Sequence, residues 1–417
     1  MCYNTRMKKQ YNKRRFPNKR RRSRLGGKKG GSFFKHLFAG IGIIILAAVL
    51  AVAVMFVLEV AFKINTPLPP DGIFGKLASA MNLEMVTSPT PEPTPEPTEE
   101  PGPVDPFNGE ITENELVFPA EMNYPFLADP YCFKGSIICA VGKQFDRTVK
   151  LYKLAEYGID SKTVHELPID AMNDHLFFPV FNEKWLVYFD AHYSVGGGYI
   201  CAVDRTNPDA QPVIVKQVYI GQPKIRLSGD RITWIERTGS DRDKIFVCDL
   251  STMETAVIQF FDRSDYGTSM PYFFGDLVLW AAPGTGDASV IKYINIETGA
   301  TGEFSPGTYV HDPEYNGEYY AWLNAPHSPE AALYTANTAS DPMLVAEGVT
   351  EFAISEKFIA YGLDEAVYVY VFETGSSYRI TPEREDALFL GVSDGAVFWM
   401  DVTSRERDII KFTVPPL

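Results

Sequence analysis

One short motif recurs seven times in the C-terminal part of this chain, and it constrains the fold more than any other feature. A tight turn leads into a strand that closes on Trp or Tyr in six of the seven copies. The copies read Gly135-Ser136-Ile-Ile-Cys-Ala140, Glu183-Lys184-Trp-Leu-Val-Tyr188, Gly229-Asp230-Arg-Ile-Thr-Trp234 and Gly275-Asp276-Leu-Val-Leu-Trp280. They continue as Gly317-Glu318-Tyr-Tyr-Ala-Trp322, Glu356-Lys357-Phe-Ile-Ala-Tyr361 and Asp394-Gly395-Ala-Val-Phe-Trp399. Successive copies lie 48, 46, 46, 42, 39 and 38 residues apart. A fixed period of this length is the mark of an architecture built from stacked supersecondary units.

Each unit has room for four short strands. A second strand follows the motif, as in Lys244-Ile-Phe-Val-Cys-Asp249, Val290-Ile-Lys-Tyr-Ile-Asn295 and Val367-Tyr-Val-Tyr-Val371. A Thr-Gly turn then leads onward at Thr298-Gly299 and Thr374-Gly375, where Gly supplies the positive φ of a tight reversal. Strands that are apolar on both faces fit sheets covered on both sides. These signals predict an all-β fold, a seven-bladed β-propeller over residues 111–417, with a six-bladed ring as the alternative. The recurring aromatic would fill the space between blades. The seventh unit ends with only three strands, and an open edge is a hazard. Glu115-Leu116-Val117-Phe118 has strand composition, so we expect it to complete that blade and close the ring.

The Gly-Asp-x-x-x-Trp strand, the Ile-Phe-Val-Cys-Asp-type strand and the Asn-x-x-Thr-Gly turn resemble TolB-like β-propeller repeats over about residues 115–414. The resemblance implies a propeller with an interaction surface at one end, and it brings no catalytic residues with it. No Gly-His…Trp-Asp signature of the WD type recurs.

Charge divides what precedes the repeats. Residues 1–36 carry 14 Lys and Arg and no acidic residue, whereas residues 37–417 carry 25 basic against all 53 acidic residues. Leu37–Leu58 is an uncharged apolar run of 22 residues. That length suffices to cross a bilayer as a helix, and the basic flank sets the N-terminus inside. The expected organisation is a basic cytoplasmic segment 1–36, a transmembrane helix over 37–62, a juxtamembrane and Pro/Thr/Glu-rich linker over 63–110, and the extracytoplasmic propeller. Clusters such as Lys13-Arg14-Arg15 have the charge to contact anionic lipid. Thr87–Pro103 alternates Pro with Thr and Glu, a composition that favours an extended stalk. The stalk and the absence of Asn-x-Ser/Thr sequons suit a bacterial cell-surface protein. The acidic balance of the outer part excludes nucleic acid as its partner. An envelope protein or polymer, cationic or neutral, is the partner to expect.

Polar residues just before each turn would line the central channel or its rim. They are Asp129, His175, Lys224, Arg226, His311, Asp312, Glu351 and Asp386. The set mixes carboxylates, imidazoles and cations, as a binding pocket does. No catalytic constellation, metal site or cofactor motif accompanies it. His165-Glu166 lacks the second His of a zinc helix, no Gly-x-Ser-x-Gly elbow occurs, and Gly196-Gly197-Gly198 reads as a loop between strands. An interaction or ligand-binding module of the cell envelope is therefore expected, with an envelope glycan- or peptide-cleaving propeller enzyme as the alternative. Cys132, Cys139, Cys201 and Cys248 read as free, partly buried thiols. The first two flank the turn at Gly135-Ser136, where a two-residue hairpin would set them opposite each other.

Overall fold

The computed structural model describes residues 106–107 and 111–417, apart from 147, 193–195, 220, 222, 239–241, 263–268, 285–287, 327–329, 339 and 404–406. The expected transmembrane helix and stalk lie outside the described residues. Among the described residues no helix is long and apolar enough to cross a membrane.

The described chain forms 28 strands, numbered β1 to β28 in chain order, in seven four-stranded antiparallel sheets. Six sheets use consecutive strands. Their innermost strands are β2 (Phe126–Phe133), β6 (His175–Phe181), β10 (Arg226–Ser228), β14 (Tyr272–Phe274), β18 (His311–Tyr315) and β22 (Glu351–Ile354). They define blades 1 to 6. The seventh sheet runs β26 (Ala387–Ser393), β27 (Ala396–Asp401), β28 (Ile409–Thr413) and then β1 (Asn114–Glu115). Each innermost strand touches the innermost strand of the next blade, and β26 touches β2. The arrangement is a closed seven-bladed β-propeller.

The ring is closed by the N-terminal segment, as expected. Asn114 pairs with Phe412 and Glu115 with Lys411, and the Leu116 amide donates to the Ile410 carbonyl at 2.9 Å. The paired strand is shorter and starts one residue earlier than its composition suggests. Leu116 instead turns its buried side chain into the interface between blades 7 and 1, among Leu127, Ile137, Phe398, Ile410 and Phe412. Lys411 gathers Glu113 at 3.0 Å, Glu385 at 2.6 Å and Asp401 at 3.5 Å. Burial works to lower its pKa, but hydrogen bonds to Glu385 and Glu113 outweigh that and raise it. Upstream, Phe107 packs with Trp399, Val369 and Phe358 between blades 6 and 7. The N-terminal segment thus touches both interfaces of the blade it completes.

The recurring aromatics occupy one equivalent place. Tyr188, Trp234, Trp280, Trp322, Tyr361 and Trp399 are all buried. Each belongs to the hydrophobic cluster that its own blade forms with the preceding one. Blade 1 departs from the expected register. Its turn is Lys134-Gly135, so Ser136 already opens β3 (Ser136–Phe145). Cys139, not Ala140, therefore holds the aromatic's place, facing Phe398 and Phe412. The same shift pairs Cys132 with Ile137 instead of Cys139. Cys132, Cys139, Cys201 and Cys248 are all free and buried. Burial pushes the Cys132, Cys139 and Cys201 thiols up to about 12 and raises that of Cys248.

At the turn end of the ring the blades are stitched together by hydrogen bonds that repeat with the sequence period. The Lys134 amide donates to Asp394 at 2.6 Å, Asn182 to the Gly229 carbonyl at 2.7 Å, Ser228 to Gly275 at 2.8 Å, and Asn316 to Ser355 at 2.9 Å.

Candidate functional site

The innermost strand is the inner edge of its blade, so one side of its backbone makes no ladder. Proline is tolerated in such a position. Three inner strands use it in the same way. Register breaks at Asp129-Pro130 in β2, at Phe178-Pro179 in β6 and at Asp312-Pro313 in β18. The residue before each proline has positive φ, 50°, 51° and 47°. Positive φ is uncommon for a non-glycine and costly for a bulky residue such as Phe178. Side chains from neighbouring blades hold these bulges in place. Asp129 accepts the Phe178 amide at 3.0 Å, and Asp312 accepts the Met270 amide at 2.6 Å. The Asp312 amide in turn donates to Ser269 at 2.9 Å.

Beside these bulges, polar groups of the inner strands meet from blade to blade. Arg226, on blade 3, donates to Glu314 of blade 5 at 2.5 Å. Its guanidinium lies over the Tyr272 ring of blade 4 at 5.0 Å. Glu314 is buried and also accepts the Ile354 amide of blade 6 at 2.8 Å. A buried, hydrogen-bonded pair of this kind ties three blades together across the bore. Burial raises the Glu314 pKa despite Arg226 beside it. Burial also raises Asp129, while the Phe178 amide and Lys224 work in the opposite direction and Glu351 reinforces the rise. Lys224 itself is exposed in the loop before β10.

The expected site residues therefore divide into two groups. Asp129, Lys224, Arg226, Asp312 and Glu351 come together at one mouth, contributed by blades 1, 3, 5 and 6. His175 and Asp386 do not join them, whereas His311 lies buried beside Asp312. His175 is buried between blades 1 and 2, where its Nδ1 accepts the Leu151 amide at 3.2 Å and its ring stacks on Phe177. Burial lowers its pKa. His311 is 1% exposed, with Nδ1 3.4 Å from Asp312 Oδ1. Asp386 is exposed just before β26. Glu314, Tyr272 and Tyr131 belong to the mouth but were not among the expected residues. Their signal is a proline four residues before the turn, at Pro130, Pro179, Pro271 and Pro313. Among the described residues, no three His, Cys, Asp or Glu side chains converge as a metal site.

The fold is a closed seven-bladed propeller with a cluster of charged residues on its innermost strands. Solved structures share that fold. The β-propeller domain of the Trilobed protease from Pyrococcus furiosus, which has an open velcro topology, superposes with a TM-score of 0.52 and 14% identity, over 69% of this chain and 95% of that one. An acylaminoacyl peptidase in complex with Z-Gly-Gly-Phe-chloromethyl ketone matches with a TM-score of 0.52 and 12% identity, over 70% of this chain and 52% of that one. The acylaminoacyl peptidase of Pyrococcus horikoshii matches with a TM-score of 0.51 and 12% identity, over 69% of this chain and 51% of that one. The chain thus spans about half the length of these peptidases. No protein-family model matches it, and no curated protein matches it.

Proposed function

We propose that this chain is a membrane-anchored propeller, similar in its repeats to the TolB-like type, that binds an envelope protein or polymer at its charged mouth outside the cytoplasm. The observation that carries this reading is the convergence of Asp129, Lys224, Arg226, Asp312, Glu314 and Glu351 from four separate blades. Burial raises the pKa of Asp129 and of Glu314, and charges of the other members act on both. Carboxylates outnumber cations there, and the chain beyond residue 36 is strongly acidic, so the ligand is cationic or neutral. The uncharged run Leu37–Leu58 and its basic flank support the anchor and its orientation.

The test uses charge-neutral, near-isosteric changes that leave the bulge hydrogen bonds in place. Full-length protein carrying Lys224→Met, Asp312→Asn and Glu351→Gln is compared with the parent for capture of partners from envelope fractions. The triple variant should lose at least one partner that the parent retains, with its melting temperature unchanged. Retention of every partner would place the binding surface elsewhere.

A further inference from the structure

A second cleft lies away from the mouth, on the outer part of blade 1 where it meets the connection to blade 2. Its volume is about 530 Å³, within the range of roughly 300–1,000 Å³ typical of small-molecule sites. One wall is the hairpin of β3 and β4 (Thr148–Gly158), with Phe145, Thr148, Lys150 and Tyr152. The other is the connection at Asp170–Asp174.

Two buried polar side chains that the mouth does not use hold these walls. Asp190 is fully buried on β7 (Trp185–Ala191). It accepts the Met172 amide at 2.6 Å and the Asn173 amide at 2.9 Å, while the Asn173 side chain donates to the Asp190 carbonyl at 3.1 Å. Burying that carboxylate costs stability, and what it secures is the conformation of the connection. His175 holds the facing strand through the Leu151 amide, next to Lys150. Lys150 then bridges the walls by its 2.8 Å contact with Asp174.

We propose that this cleft binds a neutral saccharide. Phe145 is 47% exposed, and its ring meets Tyr152 edge to face, with centroids 5.6 Å apart and planes at 66°. The exposed ring offers a flat apolar platform for the C–H face of a sugar. Around it stand an ammonium donor, a hydroxyl at Thr148, an amide oxygen at Asn173 and carboxylate acceptors at Asp146, Asp170 and Asp174. Sugar hydroxyls both donate and accept, so a wall of mixed donors and acceptors suits them. An anion would meet three carboxylates. A cation would meet Lys150, with Lys153 alongside at Asp170. A purely apolar ligand would strip water from the Lys150–Asp174 and Lys153–Asp170 pairs without replacing it.

The proposal is independent of the mouth and is tested separately from it. Full-length protein is titrated with cellotriose, maltotriose and N,N′,N″-triacetylchitotriose, followed by saturation-transfer NMR, with trigalacturonate and chitosan trimer as the charged counterparts. At least one neutral trisaccharide should bind saturably, and Phe145→Ala should weaken it tenfold or more. Phe260→Ala, which removes an exposed ring from another blade, should leave binding unchanged, and so should the triple mouth variant. The assignment is overturned if none of the three neutral sugars binds, if only a charged trimer binds, if Phe145→Ala binds as the parent does, or if the control variants weaken binding equally.

Discussion

Replacing Leu116 by Ala tests how the ring is closed. Leu116 is 3% exposed and packs between blades 7 and 1 against Leu127, Ile137, Phe398, Ile410 and Phe412. Truncating a buried Leu costs about 2–5 kcal/mol, depending on how far the cavity collapses. The strand that precedes Leu116 is short, with Asn114 and Glu115 as its ladder pairs, so the segment can relax inward, and about 2–3 kcal/mol is expected. For a domain of this size that corresponds to a fall in melting temperature of about 3–5 °C. The neighbouring Val117 is 59% exposed, so Val117→Ala should stay within about 0.5 kcal/mol of the parent. Both variants keep the backbone bond from the residue 116 amide to Ile410, so their difference isolates side-chain packing at the closure. Urea and thermal unfolding, followed by tryptophan fluorescence and circular dichroism, give the comparison. If the two variants agree within about 0.5 kcal/mol, the N-terminal segment decorates the ring without holding it.

Lys411→Met should cost about 3 kcal/mol or more in the same assay, because it leaves the partly buried Glu385 and Asp401 facing each other without their cation; a smaller loss than that of Val117→Ala would refute this. Asp129→Asn should stabilise the protein at neutral pH. Burial raises the folded-state pKa of Asp129, a rise whose stabilisation is complete below the unfolded pKa and is lost as pH rises through the folded one, so the ionised carboxylate is a cost at pH 7.5. The gain in melting temperature should fade as pH falls toward about 4, near the ordinary Asp value, and a loss at pH 7.5 would overturn the reasoning. Iodoacetamide at pH 8 should leave Cys132, Cys139, Cys201 and Cys248 unlabelled in the native protein and label all four in denaturant, as judged by peptide mass; native labelling of Cys139 would contradict its burial. Protease added to intact cells should remove the propeller and spare the N-terminus, and protection of the propeller would reverse the proposed orientation.

The blade pattern was legible because one physical requirement recurs at one place. Six of the seven interfaces between blades are filled by a large side chain on the second strand, Tyr188, Trp234, Trp280, Trp322, Tyr361 and Trp399. Blade 1 escaped correct registration because its interface is filled from the other side. Phe398 and Phe412 occupy the space, so Cys139 suffices, and the missing aromatic hid a one-residue offset. The closing strand was legible from the same logic of counting. Its bounds were not, because Leu116 has strand composition but serves as a core residue beyond the last paired position.

The mouth was harder to read than the frame, for a reason visible in β18. In a regular strand, alternate side chains face alternate sides, so position alone would assign His311 and Asp312 to opposite faces and leave Glu314 on the face of Asp312. The bulge at Asp312-Pro313 breaks that rule. It buries His311, turns Asp312 back onto the neighbouring blade at Met270, and delivers Glu314 to Arg226 across the bore. Asp312 and Glu314, two positions apart, thus reach different neighbouring blades. The proline is what makes the break readable, since a residue with no amide hydrogen is compatible with an inner edge and incompatible with a central strand. Its recurrence four residues before the turn in blades 1, 2, 4 and 5 points to the polar groups nearest the axis. The same criterion separates His175 from the mouth. His175 lies three residues before its blade's bulge residue, Phe178, where the strand is still regular and its side chain remains between blades instead of facing the bore.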